Sequence, residues 1–153
     1  MTLDTLAAKQ IEREALDRLF TYLDTFKKFE RPLGMLLKRK YNPEEIVEAE
    51  GKRCVISITG LKHHDLTLFF EVSNLSLKQV DPYERYDTFI QSPLRLIIVF
   101  LQRTLSGDGS AFSDLAGSND VKIRGSRTYH DILVFSDACE VLAANIRRLR
   151  SVV

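Results

Sequence analysis

Residues 86–125 decide the fold, and they read YDTFIQ, SPLRLIIVFLQRTL, SGDGSAFSDLAGSND and VKIRG in succession. This pattern predicts a half-buried strand, an apolar helix, a short helix with one polar face and a final strand. Ser92-Pro93 predicts the start of the apolar helix, because a serine hydroxyl can cap a helix and proline suits its first position. The apolar arc of this helix is wider than one packing contact requires, so its residues either fill a core or line a cavity.

Three further strands are predicted before residue 86. The segments CVISITG, DLTLFFEV and NLSLKQV alternate apolar and polar residues and are rich in β-branched side chains. Short turns at residues 61–64 and 73–74 join them, so neighbouring strands are expected to pair as hairpins in an antiparallel meander. YDTFIQ follows as a fourth strand, after a loop that contains Asp81-Pro82-Tyr83.

Residues 1–31 are predicted to form a long amphipathic helix. Apolar residues recur at spacings of three and four from Leu6 to Phe29, and charged residues occupy the other face. Arg31-Pro32 ends this predicted helix, because the residue before a proline resists the helical conformation. Its apolar stripe has two interpretations: it packs on the core of a domain formed by residues 32–153, or it serves as a lid or as the seam of a homodimer.

Residues 32–41 combine leucines and a methionine with the cationic run Lys38, Arg39 and Lys40. An apolar turn beside three cations can lie at an anionic membrane surface, so peripheral membrane contact is one interpretation of this segment. A short helix with a solvated end is the other interpretation. Asn42-Pro43 then predicts the start of a brief helix, with asparagine as the cap and proline in the first turn.

Length and composition indicate a soluble globular protein. The chain has 153 residues, of which 44% are hydrophobic and 28% are charged, and its formal net charge of +1 creates no global field that would attract nucleic acid. The N-terminus is charged and periodic, unlike a secretory signal. The apolar run Leu94–Leu101 is too short to cross a bilayer. We therefore expect a cytoplasmic protein.

Basic residues near the C-terminus do not predict a nucleic-acid site. A closing helix is predicted to open at Thr128 and to end in an arginine cluster at residues 147–150. Lys122, Arg124 and Arg127 could lie beside this cluster, but aromatic residues for base stacking are scarce there. Cations also complement the negative end of a helix, so the cluster has a structural explanation and no nucleic-acid partner is expected.

The residues that could support catalysis or bind a metal do not form a known pattern. Cys54 and Cys139 lack the spacing of metal ligands and are predicted to be buried thiols. His63-His64 falls in a predicted hairpin turn and His130 lies early in the closing helix, so a small enzyme that uses these histidines is the weakest hypothesis. The common hydrolase, zinc-protease and phosphate-binding motifs are absent from the sequence. We therefore expect a non-enzymatic protein without a cofactor or metal.

The order of elements over residues 32–142 resembles the sterol carrier protein 2-like superfamily. Members have a strand of the type D-x-T-I, an apolar helix, a Gly-Asp turn, a short helix and a strand that ends in glycine. The matching pieces are Asp87-Thr88-Phe89-Ile90, Ser92-Pro93-Leu94, Gly107-Asp108, Phe112 and Val121-Lys122-Ile123-Arg124-Gly125. The chain looks closest to the stand-alone bacterial accessory proteins of this superfamily, which assist quinone biosynthesis by binding isoprenoid lipids.

This resemblance implies an α+β fold in which helices cover a mixed sheet of about five strands, with the long N-terminal helix ahead of a lipid-binding domain at residues 32–153. It also implies an apolar tunnel between sheet and helices, and hence non-enzymatic binding or presentation of a lipid, isoprenoid or fatty acyl chain. The residues assigned to the tunnel wall are Phe69, Phe89, Leu94, Ile97, Ile98, Leu101, Phe112 and Leu115. The alternative is a protein-interaction or oligomerisation module that uses the N-terminal helix and binds no ligand.

Overall fold

A computed structural model of the chain describes residues 2–125 and 130–151, and in the closing helix it describes side chains from residue 136 onward. The helix start predicted at Thr128 and the basic residue Arg127 lie outside the described residues. The side chain of His130 also lies outside them.

The sheet is mixed and has five strands, as the resemblance implied. In chain order the strands are β1 (Arg53–Thr59), β2 (Leu66–Ser73), β3 (Ser76–Gln79), β4 (Thr88–Pro93) and β5 (Lys122–Arg124). Their order across the sheet is β3-β2-β1-β4-β5, so the predicted meander forms one half and β4 crosses over to pair with β1. The β1–β4 pair is parallel, whereas the other three pairs are antiparallel.

Helices precede the sheet and separate its later strands. In chain order they are α1 (Leu3–Lys28), α2 (Glu30–Lys40), α3 (Pro43–Ala49), α4 (Leu94–Leu105), α5 (Ala111–Gly117) and α6 (His130–Arg150). Helix α3 begins as predicted, because Asn42 and Glu45 form a reciprocal capping box and Pro43 occupies the first turn. Together with the mixed sheet, these helices confirm the predicted α+β class.

The prediction that Arg31-Pro32 ends the first helix is wrong by a few residues. Helix α1 ends at Lys28, Phe29 breaks the helical path, and α2 begins at Glu30. Pro32 therefore lies in the first turn of α2, where its missing N–H would have had no partner in any case. Residues 32–41 thus form most of a short helix.

The prediction that Ser92 caps the apolar helix is also wrong. Pro93 still pairs with Thr59 in the β1–β4 ladder and keeps an extended backbone, so the strand continues to Pro93 and α4 begins at Leu94. The Ser92 hydroxyl donates to the carbonyl oxygen of Pro93 at 3.0 Å and makes no cap bond. Ser110 precedes α5, but its hydroxyl donates to the carboxylate of Asp108 at 2.7 Å and does not cap the helix.

The main core lies between one face of the sheet and the helices. Alternate residues of the central strands, such as Ile56, Leu68 and Ile90, face α1, α4, α5 and α6 in one buried cluster. Leu16 and Leu19 of α1 belong to this cluster, so the second half of the N-terminal helix packs on the core. The expected division of the chain at residue 31 stays a prediction.

A second cluster joins α2 to the closing helix. Phe29 and Leu33 pack against Leu142, Ile146 and Leu149 of α6. At the other end of α2, the Lys40 ammonium lies 3.0 Å from the carboxylate of Asp137. The two helices therefore run antiparallel, with the start of α2 near the end of α6.

Candidate functional site

A pocket of about 460 Å³ lies between the inner face of the sheet and the helices. Its floor consists of inward-facing residues of the central strands, namely Ile56, Leu68, Phe70 and Ile90. These residues share one face because they pair in register across β1, β2 and β4. The pocket thus opens within the main hydrophobic core.

The walls of the pocket come from several helices. Helix α4 supplies Ile97, Phe100 and Leu101, and α5 supplies Leu115. The other wall residues are Leu23 and Phe26 of α1, Leu33 of α2, and Ala138 and Cys139 of α6. Burial raises the pKa of the Cys139 thiol well above its usual value, so this wall residue is uncharged.

The polar lining residues lie at one edge of the pocket. Asp24 and Lys27 of α1 and Lys78 and Gln79 of β3 are exposed to solvent, and they mark the mouth. Glu30, at the start of α2, completes the rim, and its carbonyl oxygen accepts a hydrogen bond from Ser76 of β3 at 3.3 Å. The mouth therefore lies between the end of α1 and the edge strand of the sheet.

The turn between β2 and β3 contributes a strained residue to the lining. Asn74 and Leu75 both have positive φ, at 52° and 60°, as the central residues of a two-residue hairpin turn. A left-handed leucine costs about 1–2 kcal/mol. Leu75 nevertheless lies in the pocket wall and is almost fully buried, so its burial offsets the strain of the turn.

Three of the residues assigned from the sequence line this pocket: Ile97, Leu101 and Leu115. Leu94, Ile98 and Phe112 are buried in the same core cluster but are not part of the lining. These six residues are therefore brought together around the α4–α5 pair. Their assignment as ligand-binding residues stays a prediction.

Phe69 and Phe89 lie on the opposite face of the sheet from the pocket. They flank Val55 on neighbouring strands, and each is offset by one residue from the pocket residues Phe70 and Ile90. Successive side chains of a strand point to opposite faces, so a shift of one residue reverses the direction. Phe69 contacts Tyr83 with ring centroids 5.2 Å apart, and Phe89 contacts Tyr86 at 5.3 Å, so these rings cover the outer face.

The paired histidines lie in the β1–β2 turn and hold it against α1. The carboxylate of Glu12 accepts hydrogen bonds from the backbone N–H groups of Lys62 and His63, both at 3.0 Å, and lies 3.0 Å from Nδ1 of His64. The bond from Lys62 contributes most to lowering the pKa of the Glu12 carboxyl to about 2. In the described part of the chain, no group of three His, Cys, Asp or Glu side chains is placed to hold a metal ion.

The Gly107-Asp108 turn is organised by an arginine. The Arg103 guanidinium of α4 lies 2.6 Å from the carboxylates of both Asp108 and Asp114. Asp108 also accepts hydrogen bonds from the backbone and hydroxyl of Ser110, which contribute most to lowering its pKa to about 2. This network fixes the angle between α4 and α5, and hence the position of Leu115 in the pocket wall.

Within the described residues, none of the helices combines the length and the apolar character that are needed to span a bilayer. Exposed large apolar side chains are scattered among the helices and the loop before β4, and three of them, Leu3, Leu6 and Ile11, lie in the first half of α1.

No protein-family model matches the chain, and no curated protein matches it. Among solved structures, the chain is similar to one described as "UbiJ-SCP2 Ubiquinone synthesis protein", with 16% sequence identity and a TM-score of 0.46. The match covers 78% of this chain and 95% of the other. At this level of similarity the match carries no argument about this chain.

Proposed function

We propose that this chain is a non-enzymatic protein that binds or presents a hydrophobic ligand, such as a lipid, an isoprenoid or a fatty acyl chain. The observation that carries the proposal is the pocket of about 460 Å³, which is lined by apolar side chains from both the sheet and the helices. Ligand sites are typically concave, mostly apolar and about 300–1,000 Å³ in volume. Since the mouth alone is polar, a ligand would insert its apolar part and leave its polar end at the rim.

Affinity in such a site comes mainly from the burial of apolar surface. Each square ångström of apolar ligand surface that leaves water contributes roughly 25 cal/mol. This term has no direction and depends on area, which explains why the proposal names a class of ligand. Glu12 and His64 are engaged in an interaction that fixes the β1–β2 turn, and this supports a binding role over catalysis. The cytoplasmic location expected from the sequence is part of the same proposal.

The proposal predicts that filling the pocket reduces ligand binding at little cost in stability. The variant Ile97→Phe enlarges a buried wall residue, and in an empty pocket the new ring has room to extend. We expect less bound lipid by native mass spectrometry and by solvent extraction of the purified protein. The free energy of unfolding should fall by less than about 1 kcal/mol, whereas overpacking a solid core costs roughly 1–3 kcal/mol.

Val99→Phe is the matched control, because Val99 lies two residues away on the same helix and is largely exposed. This control should retain the bound lipid of the wild-type protein. Purification of the wild-type protein without any co-purifying hydrophobic molecule would contradict the proposal, if added fluorescent fatty acid also fails to bind. Equal ligand loss in both variants would contradict the assignment of the pocket.

A second candidate function, self-association or partner binding through α1, is favoured by a separate observation. Leu3 is 85% exposed and Ile11 is 67% exposed, and Leu6 between them is also exposed. These side chains lie on the first turns of α1, before the part of the helix that packs on the core. The mass of the protein in solution tests self-association.

A further inference from the structure

The outward side of α2 carries cations around an exposed apolar residue. Arg31, Met35, Lys38 and Arg39 recur at spacings of four and three, so they share one side of the helix. All four are exposed, and Met35 is 59% exposed. The opposite side of α2 is buried through Leu33, Gly34 and Leu37. We call Arg31, Met35, Lys38 and Arg39 the α2 basic face.

The ionic contacts of this face distinguish its cations from the neighbouring Lys40. In the part of the chain that the structure describes, Arg31, Lys38 and Arg39 have no carboxylate oxygen within 4.0 Å. Lys40 differs, because its ammonium pairs with Asp137 at 3.0 Å. For membrane contact, which was one interpretation of the run Lys38, Arg39 and Lys40, Lys38 and Arg39 are therefore the available cations of that run. Arg31 joins them from the first turn of α2.

The α2 basic face is held at a fixed orientation beside the pocket. Gly34 lies so close to the β2–β3 turn that an added Cβ would be 3.2 Å from the carbonyl oxygen of Asn74. The first turn of the same helix forms part of the mouth through Glu30, with Lys27 from α1 beside it. The helix that carries the cations thus also borders the opening of the pocket.

We propose that the α2 basic face docks on the surface of an anionic phospholipid bilayer. Cations near such a surface are attracted to its phosphate groups, and an exposed apolar side chain among them can insert at the headgroup boundary. Met35 has that position between Arg31 and Lys38. A single-stranded nucleic acid would instead favour aromatic side chains for stacking, and the α2 basic face has none. This docking goes beyond the proposed ligand binding and depends on different side chains.

The test is co-sedimentation of the purified full-length protein with vesicles of equimolar phosphatidylglycerol and phosphatidylcholine, and with vesicles of phosphatidylcholine alone. We expect binding only to the anionic vesicles, and weaker binding at higher ionic strength. The variant R31Q/K38Q/R39Q should lose roughly fivefold in partitioning per charge, or about a hundredfold in all. Met35→Gln should cause a smaller loss. The triple variant should keep its pocket ligand in native mass spectrometry.

The control variant K9Q/R13Q/R18Q removes the same number of exposed cations from α1, so it matches the change in net charge. It should bind anionic vesicles like the wild-type protein. Equal loss in both triple variants, or full binding by R31Q/K38Q/R39Q, would overturn the proposal. Binding of a single-stranded RNA oligonucleotide through the same three cations, without vesicle binding, would also overturn it. We expect Ile97→Phe to lose the pocket ligand and to keep its vesicle binding. That result would show that ligand binding and membrane docking depend on different residues.

Discussion

Gly125, the last residue of the segment VKIRG, allows two strands to approach closely because it has no side chain. It has φ of +110°, and a Cβ at this position would lie 2.5 Å from the carbonyl oxygen of Asp87. Asp87 is itself fixed to β1, because its carboxylate accepts the backbone N–H of Arg53 at 2.9 Å and its own N–H donates to the Arg53 carbonyl. Glycine at the end of β5 therefore lets this strand approach the start of β4.

Gly125→Ala should destabilise the fold by about 2 kcal/mol or more, because it combines a strained φ with a collision against backbone. The measurement is the midpoint of urea denaturation. Gly117→Ala is the control, since Gly117 ends α5 with open space around its Cα and alanine is the better helix former. A shift in Gly125→Ala no larger than that of the control would contradict this role.

At the level of elements, α1 is fixed by a contact that spacing along the chain does not predict. Glu12 is one of several charged residues on an amphipathic helix, and nothing local distinguishes it from Glu14. In the structure Glu12 binds the turn at residues 62–64, whereas Glu14 accepts a hydrogen bond from Gln10 on its own helix. A contact between residues about fifty positions apart depends on the tertiary arrangement. The sequence therefore predicted the turn, but not the Glu12 carboxylate that binds it.

Glu12→Gln should destabilise the protein at neutral pH and should lose this effect in acid. The pKa of Glu12 is lowered from 4.5 to about 2 in the folded state, so its charged form stabilises the fold above pH 4.5. That contribution falls as the pH drops from 4.5 towards 2, where the folded protein also takes up the proton. The measurement is the difference in unfolding free energy between wild type and Glu12→Gln across this range.

Glu14→Gln provides the comparison, because it removes a charge from the same helix without touching the β1–β2 turn. Its effect at neutral pH should be smaller than that of Glu12→Gln. A pH-independent difference between wild type and Glu12→Gln would contradict the assigned pKa.

The side of a helix or strand on which a residue lies determines whether it can line the pocket, and the sequence predicts that side only for some residues. Helical spacing groups Leu94, Ile97, Ile98 and Leu101 on one side of α4, and of these four only Ile97 and Leu101 line the pocket. On β2, however, Phe69 and Phe70 are adjacent and equally apolar, so the sequence does not decide which one faces inward. Pairing with β1 decides it, because Phe70 aligns with Cys54, which belongs to the main core cluster, whereas Phe69 aligns with Val55 on the other face of the sheet.

At the scale of the whole molecule, the order of elements was predictable and the closure of the pocket was not. The meander, the fourth strand and the final strand follow from periodicity and turns, whereas the parallel pairing of β4 with β1 was not predicted. The pocket also requires Leu33 of α2 and Cys139 of α6, which meet only when distant helices fold over the sheet. Their hydrophobicity marked them as buried, but burial alone does not separate a filled core from a cavity.

The proposed self-association concerns the whole molecule and would depend on the exposed start of α1. Replacing Leu3, Leu6 and Ile11 by serine should leave the fold and the bound ligand intact, since these side chains lie outside the core clusters. Sedimentation equilibrium then decides the second candidate function: a wild-type dimer that becomes monomeric in the variant supports it. A monomer in both cases, or a dimer in both, would contradict self-association through α1.

Leu16→Ser is the contrasting variant, because it changes a buried residue of the same helix instead of the exposed ones. Leu16 belongs to the main core cluster, so its replacement should cost roughly 2–5 kcal/mol, as core truncations do. An unchanged free energy of unfolding in Leu16→Ser would contradict the packing of the second half of α1 on the core.

The structure of the pocket mouth bears on how fast a bound ligand would exchange with solvent. It is bounded by helical side chains on one side and by β3 on the other, and β3 is the edge strand, paired only with β2 in the described sheet. Side chains of α1 and β3 form the two sides of this gap, and the β2–β3 ladder lies behind it. Under the proposed function, loading and release would therefore need rim side chains to change rotamer and no hydrogen bond of that ladder to break.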